Sequence, residues 1–367
     1  MLQKSITKVI AGQGGSYGLK SALLCSSWFF QFGVKTKQFF DSTSFQKPSR
    51  VDAPVVCIGN IIAGGSGKTP FLQRMLTDLK TISPEHIAVV SRGYKGQYNK
   101  AADVLHLNKE RDLTAQLCGD ESYMLYKNFP SHGFFVSKNR YKGALRAVCR
   151  GAKLVFLDDG MQNNTLFQDM RVVVLHAERL FGGEGVQKGF FLPRGPLRDF
   201  PSSLKKANFI VVNHACSEEK IERANKALEH YSTCPIIYTQ MVKQGFFDES
   251  GRVEMAANSR IGVFCGLGSP KSFIDCLKEE GLDIATSWFL QDHEKANVEA
   301  LDQFALKAKT MGCKFLVCTE KDWVKLIKRE GYALPLCFIK SELAIVRGQD
   351  AYATLLNSVK TLVKERV

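Results

Sequence analysis

No pair of cysteines in this chain has the C-x-x-C spacing, although there are 11 of them, an odd number. They are scattered, and Cys57, Cys265 and Cys318 sit in apolar runs, where a thiol behaves as a small hydrophobe. That pattern argues against a disulfide framework and against a zinc site, and it implies a reducing compartment. A spanning helix needs about 20 predominantly apolar residues. The best candidate, "SALLCSSWFFQFGV" (21–34), is too short and too polar. No clear small-residue cleavage site follows it, so it does not read as a secretory signal. The chain has no low-complexity tract and no internal repeat. Acidic residues are missing altogether from the first 40 positions, which hold five lysines, Lys4, Lys8, Lys20, Lys35 and Lys37.

What is present points to a folded protein of more than one domain. For 367 residues two domains is the natural expectation, and an apolar fraction of 45% supplies ample core. Charged residues, at 23%, are near the globular average, which argues against large-scale disorder. The net charge of +14 favours a polyanionic partner, whether nucleic acid, an anionic membrane surface or a phosphorylated substrate; it also fits a soluble basic protein. In residues 1–40, lysines and aromatics around a short apolar run suit a helix lying in a membrane interface. The same pattern suits an N-terminal helix packed on the protein.

From about residue 50, short apolar runs alternate with helical patterns. The strand candidates are 54–60, 87–94, 133–137, 152–160, 170–177 and 208–215, all rich in Val, Ile and Phe on successive residues. Such runs suit strands buried on both faces of a mostly parallel sheet. Leu72, Met75, Leu76 and Leu79 recur at helical spacing after Thr69, and 138–150 is basic on one side through Lys138, Lys142 and Arg146. Residues 236–255 read as a hairpin with "DESG" at its turn. The α/β pattern then restarts at 260–268 and 314–322. The expected organisation is an N-terminal segment (1–40), an α/β domain (41–234), a β-ribbon linker (235–256) and a smaller C-terminal α/β domain (257–367).

Chemistry concentrates at "NIIAGGSGKTP" (60–70). The phosphate-loop pattern G-x-x-x-x-G-K-[ST] would occupy 62–69, but Ile62 stands where the first glycine belongs. The context is nonetheless right, because an apolar strand precedes the loop and an amphipathic helix follows. Gly64, Gly65, Ser66 and Gly67 would let backbone N–H groups approach an anion closely. Lys68 would reach the β/γ-phosphates of a nucleotide, and Thr69 would face Mg²⁺. "KLVFLDDG" brings Asp158 and Asp159 to the end of a strand, where ligands of open α/β sheets bind. The acids in "CGDE", Asp120 and Glu121, are most simply a helix cap on local evidence. So are Asp292 and His293 in "QDHE".

Taken together, the segments "VCIGNIIAGGSGKTP", "VVSRGYKG", "CGDESYML", "LVFLDDGMQN", "FLPRGPLRD", "FCGLGSP", "QDHE" and "CTEKDWVKL" resemble the tetraacyldisaccharide 4'-kinase family (LpxK) of lipid A biosynthesis. The resemblance covers most of the chain, and Ile62 is usual in that family. It implies two α/β/α sandwiches, the first like a P-loop NTPase, joined by a two-stranded β-linker. It implies ATP-dependent phosphorylation of the 4'-hydroxyl of an acylated glucosamine disaccharide 1-phosphate, with Mg²⁺, at the cytoplasmic face of the inner membrane; a monomer is the default expectation. Carried over by matching, Asp120 becomes the proposed base and His293 its partner, with Lys68 on the phosphates. Thr69, Glu121, Asp158, Asp159 and Gln162 form the phosphate and metal shell. Arg92, Tyr94 and Arg198 are candidates for substrate or phosphate contact, Arg92 being equally a structural ion pair. The chain departs from the family at Asn163, usually His, and at Gln291 and Glu294 around His293.

A four-chain lipid acceptor would keep the enzyme at a bilayer, which favours the interfacial reading of residues 1–40 and of the positive charge. No aromatic-plus-basic nucleic-acid module is visible. The rival readings are a membrane-recruited P-loop ATPase or GTPase switch and a kinase for a soluble small molecule. A guanine-specific switch should carry N-K-x-D, and "TEKD" (319–322) does not fit.

Overall fold

A computed structural model describes residues 6, 9–10, 14, 16–42, 47–94, 96–100, 103–108, 113–184, 188–266, 270–290 and 296–366. Helix α1 (Tyr17–Ser42) is followed by β1 (Val55–Gly59), α2 (Lys68–Asp78), β2 (Ile87–Ser91) and β3 (Leu105–Leu107). Next come α3 (Asp120–Asn128), β4 (Gly133–Val136), α4 (Arg140–Val148), β5 (Leu154–Asp158), β6 (Met170–His176), β7 (Phe209–Asn213) and α5 (Glu218–Leu228). Strands β8 (Ile236–Phe247) and β9 (Arg252–Val253) lead into β10 (Arg260–Cys265), α6 (Lys271–Glu279), β11 (Asp283–Phe289) and α7 (Val298–Thr310). The chain closes with β12 (Phe315–Thr319), α8 (Glu320–Trp323), β13 (Leu336–Arg347) and α9 (Gln349–Lys364).

The strands form one mixed sheet in the order β11-β10-β12-β13-β8-β7-β6-β1-β5-β2-β4-β3, with β9 beside β8. Strands β8 through β4 run parallel, as do β11 through β13, and the two groups meet antiparallel where β13 pairs with β8. Every residue of β1, β2, β5 and β7 is buried. Alternate side chains serve opposite faces. Val55 and Cys57 enter one core while Val56 and Ile58 enter the other, and β6 does the same with Val173 and Leu175 against Val172 and Val174. Unbroken apolar runs are therefore required here, because helices cover both faces. Cys57 lies so deep that burial pushes its thiol up to about 12, and all 11 cysteines are free thiols.

The expected hairpin at 236–255 is present but short. Only Phe246↔Val253 and Phe247↔Arg252 pair across it, closed by Asp248 N–H to Gly251 O at 2.9 Å. The long partner of β8 is β13, which runs antiparallel from Phe338↔Phe247 to Arg347↔Tyr238. The ribbon joining the halves is thus made from strands far apart in sequence. Helix α9 returns across this seam, where Tyr352, Leu355, Val359 and Val363 bury in the core that holds Val56 and Ile58.

Helix α1 has two faces. Leu23 and Ser27 are buried, Ser27 Oγ donates to Phe191 O at 2.8 Å, and Gln38 Nε2 donates to Asp199 Oδ1 at 2.7 Å. On the other side Trp28, Phe29, Phe32, Phe39 and Phe40 are 61%, 79%, 71%, 64% and 55% exposed. At 3.6 residues per turn these five positions fall in one stripe, opposite 23, 27, 30, 34 and 38. No helix among the described residues is long and apolar enough to cross a membrane.

Candidate active site

The phosphate loop leaves β1 at Asn60 and opens α2 at Lys68, with Gly67 as N-cap at φ 91°. A left-handed backbone at that point favours glycine. The space does too, because a Cβ on Gly67 would lie 1.9 Å from Asn213 Nδ2 at the end of β7. Ile62 is buried, forms a bridge to Leu197, and is followed by an Ala63 N–H bond to Pro196 O at 2.7 Å. The residue replacing the usual first glycine therefore anchors the loop in the core.

Asn60, fully buried, braces the loop from beneath. Its Nδ2 donates to Ser66 Oγ at 3.0 Å, its Oδ1 accepts from Arg198, and its carbonyl accepts from Gln162 Nε2 at 2.9 Å. Arg198 forks onto Asp159 with bonds of 2.9 and 2.8 Å, and Lys68 Nζ lies 3.5 Å from Asp159 Oδ1. Burial alone would raise the Asp159 pKa, but Lys68 and Arg198 outweigh it and hold the carboxyl down at about 2. Asp159 also adopts φ 55°, which aims it back at the loop.

Asp158 is the opposite case. Burial, then Glu121 and Asp159, push its carboxyl up to about 7, and its Oδ1 has no hydrogen-bond partner among the described residues. Thr69 Oγ1 lies 3.4 Å from Glu121 Oε2. A buried, unpartnered carboxylate oxygen close to a second acid and a hydroxyl fits a hard divalent cation. The described residues include no cluster of three His, Cys, Asp or Glu ligands. That donor set suits Mg²⁺, which takes one or two carboxylates and fills its remaining positions with water and phosphate oxygens.

Lys68, Thr69, Glu121, Asp158, Asp159, Gln162 and Arg198 line one cavity of about 2260 Å³, which runs from Phe30 and Lys37 of α1 over the loop to Lys321. Ordinary small-molecule sites reach about 1,000 Å³, so there is room for a nucleotide and a large second reactant. Asp120 lines the cavity at the start of α3, where Gly119 turns the chain at φ 88°. Arg92 and Tyr94 are exposed on its wall, and Arg92 makes no ion pair among the described residues.

The comparisons with known proteins decide the family. A family profile described as Tetraacyldisaccharide-1-P 4'-kinase matches residues 19–360. The chain belongs to that family. A tetraacyldisaccharide 4'-kinase of Chlamydia abortus is 33% identical over 339 residues, covering 91% of this chain and 88% of that protein. One from Anaeromyxobacter dehalogenans is 32% identical, covering 84% and 82%. A crystal structure of LpxK from Aquifex aeolicus, in complex with ATP, shares the fold with a TM-score of 0.72 at 23% identity, covering 93% of this chain and 99% of that one.

With the family in hand, the expected site residues sort by position. Gly64, Gly65, Ser66, Gly67, Lys68, Thr69, Asp120, Glu121, Asp158, Asp159, Gln162, Arg92, Tyr94 and Arg198 all line the same cavity. Arg198 is engaged with Asp159 and Asn60, so it braces the loop as well as facing the cavity. His293 lies outside the described residues. Asn163 closes a local turn by accepting from Thr165 Oγ1 at 3.2 Å and Leu166 N at 3.3 Å. "TEKD" is structural, because Asp322 is buried and accepts from Thr319 Oγ1 at 2.6 Å.

Residue reasoning missed Asn60, Asn213 and the buried Arg140, whose Nη2 donates to Asp158 O at 3.2 Å. It also missed His176 and His214, which stack at 4.2 Å beside Asn213. Burial and then His214 push His176 down to about 4, and burial lowers His214 as well. The only signal for the asparagines was an amide ending each all-apolar strand, in "VVCIGN" and "FIVVN".

Proposed function

We propose that this chain transfers the γ-phosphoryl group of ATP to the 4'-hydroxyl of a tetraacylated glucosamine disaccharide 1-phosphate. The observation that carries this reading is the shared cavity. It joins the phosphate loop and the Asp158 cation position to Asp120, and α1 borders it through Phe30, Val34 and Lys37, on the face opposite the exposed aromatic stripe. The backbone of 64–67 and Lys68 hold the phosphates, and Asn60, Arg198 and Asp159 keep the loop rigid while they do so. Asp158, Glu121 and Thr69 would hold Mg²⁺, which when bound neutralises charge on the phosphate oxygens. Asp120 accepts the proton of the sugar hydroxyl as the new P–O bond forms, and the β–γ bond to ADP breaks. His293 partners it from the second half of the chain.

The finer parts of the reading concern the membrane and the domains. The aromatic stripe of α1 docks on the cytoplasmic leaflet, and the net charge of +14 favours anionic lipid and the acceptor's 1-phosphate. The chain divides at 1–40, 41–234, 235–256 and 257–367; the antiparallel β8/β13 seam supports that division, with α9 packing back on the first half. The test of the chemistry is Asp120→Ala. We expect phosphoryl transfer to fall at least about a thousandfold while ATP still binds. Near-normal turnover removes Asp120 as the base.

A further inference from the structure

Lys325 lies in the second half of the chain, just beyond α8, and its side chain is only 2% exposed. An ammonium in such a place is costly unless acids surround it. Its Nζ lies 3.1 Å from Asp322 Oδ1 and 3.6 Å from Asp120 Oδ2. Asp322 is itself fixed, because its Oδ2 accepts from Thr319 Oγ1 at 2.6 Å and from Gly266 N at 3.0 Å, at the ends of β12 and β10. A chain of polar contacts thus runs from the C-terminal strand ends, through one lysine, to the first residue of α3.

The rest of α3 is attached to the same segment. Tyr123 and Met124 pack against the cluster that holds Trp323 and Val324, and Asn128 Nδ2 donates to Glu320 Oε1 at 2.9 Å. The opposite face of α3, through Leu125 and Tyr126, belongs to the first half's core. The helix is therefore gripped from both sides. Apolar contacts would suffice for that grip, and a buried ion pair adds little stability over a hydrophobic pair of similar size. What the pair adds is direction, since an ammonium fixed by Asp322 sets where the Asp120 carboxylate points.

We propose that Lys325 is a positioning residue for phosphoryl transfer. Held by Asp322, it aims the Asp120 carboxylate into the cavity, and it makes that aim depend on the packing of the second half against α3. The proposal rests on the reading of Asp120 as the base. A misplacement of about 1 Å at a reacting group can cost on the order of a hundredfold in rate.

The test is steady-state kinetics on the full chain, with Mg-ATP and detergent-dispersed acceptor. Lys325→Met should lower kcat by about a hundredfold and leave KM for ATP within about twofold, and Lys325→Arg should recover most of the rate. Because Lys325→Met leaves two buried carboxylates uncompensated, the double variant Asp322→Asn/Lys325→Met is measured as well. The proposal expects that variant to regain melting temperature but not turnover. Recovery of both, or a normal kcat in Lys325→Met, overturns it. In an Asp120→Ala background, Lys325→Met should add no further loss, and an independent loss there also overturns it. Near-normal turnover of Asp120→Ala alone identifies failure of the base reading instead.

Discussion

Replacing Asp158 with asparagine should make the metal-free protein more stable and the enzyme inactive. The folded carboxyl titrates at about 7 because burial, then Glu121 and Asp159, disfavour its charge, whereas an unfolded aspartate titrates near 3.8. Below the unfolded value both states are protonated, and the group has no effect on stability. As pH rises from there to about 7, the unfolded chain has released a proton that the folded chain keeps, so stability falls through that window. The separation is about three pH units, worth at most about 4 kcal/mol at pH 8. Asp158→Asn removes the titration. In thermal melts with a chelator present, the variant should unfold several degrees above wild type at pH 8. The gap should close towards pH 4. Adding Mg-ATP should then stabilise wild type and leave the variant nearly unmoved, and turnover of the variant should be down by at least about a hundredfold. A variant no more stable than wild type at pH 8 without metal would refute the reading of Asp158 as a carboxylate held in place for a cation.

The other expectations concern the loop and α1. Asn60→Ala strands partners on Ser66 and Arg198, so KM for ATP should rise about tenfold, in line with about 1.4 kcal/mol for an unsatisfied buried polar group; an unchanged KM would mean that the brace is dispensable. Gly67→Ala should abolish nucleotide binding in a fluorescent-nucleotide titration, and adding Asn213→Ala should restore little, because the φ of 91° stays unfavourable once the clash is relieved. Trp28→Asp with Phe32→Asp should remove co-sedimentation with anionic vesicles and leave turnover of detergent-dispersed acceptor within about twofold, since both side chains point away from the protein. Retained vesicle binding would return α1 to the role of a packed helix.

Much of the first half was legible because its signals are local. Val55–Gly59 is apolar on successive residues, Leu72, Met75 and Leu76 recur at helical spacing, and the glycines of 64–67 lie between them. Asp158 and Asp159 were visible as adjacent acids after an apolar run. Their opposite protonation was not, because it depends on how deeply Asp158 is buried and on Lys68 and Arg198, the latter 39 residues further along, holding Asp159 down. β13 was missed because its partner β8 lies about ninety residues earlier and its own side chains are only half-buried. β11 is a half-exposed strand at one edge of the sheet, and β3 is three residues at the other. Asn60, Asn213 and Lys325 act through partners distant in sequence, and no periodicity marks a single polar residue of that kind. Asp120 shows the converse. Its local sequence context fitted a plain helix cap, and the structure sets it in one cavity with Lys68 and Asp158.

The central claim is that phosphate passes from ATP to a lipid-borne sugar hydroxyl. It is tested most directly by incubating the protein with Mg-ATP and detergent-dispersed tetraacylated glucosamine disaccharide 1-phosphate, then determining the product by mass spectrometry and phosphorus NMR. The account predicts one added phosphoryl group per lipid, as a monoester at the 4' position, with one ADP formed for each. ATP hydrolysed to free phosphate with the lipid unchanged, or phosphate added to the existing 1-phosphate, would contradict it.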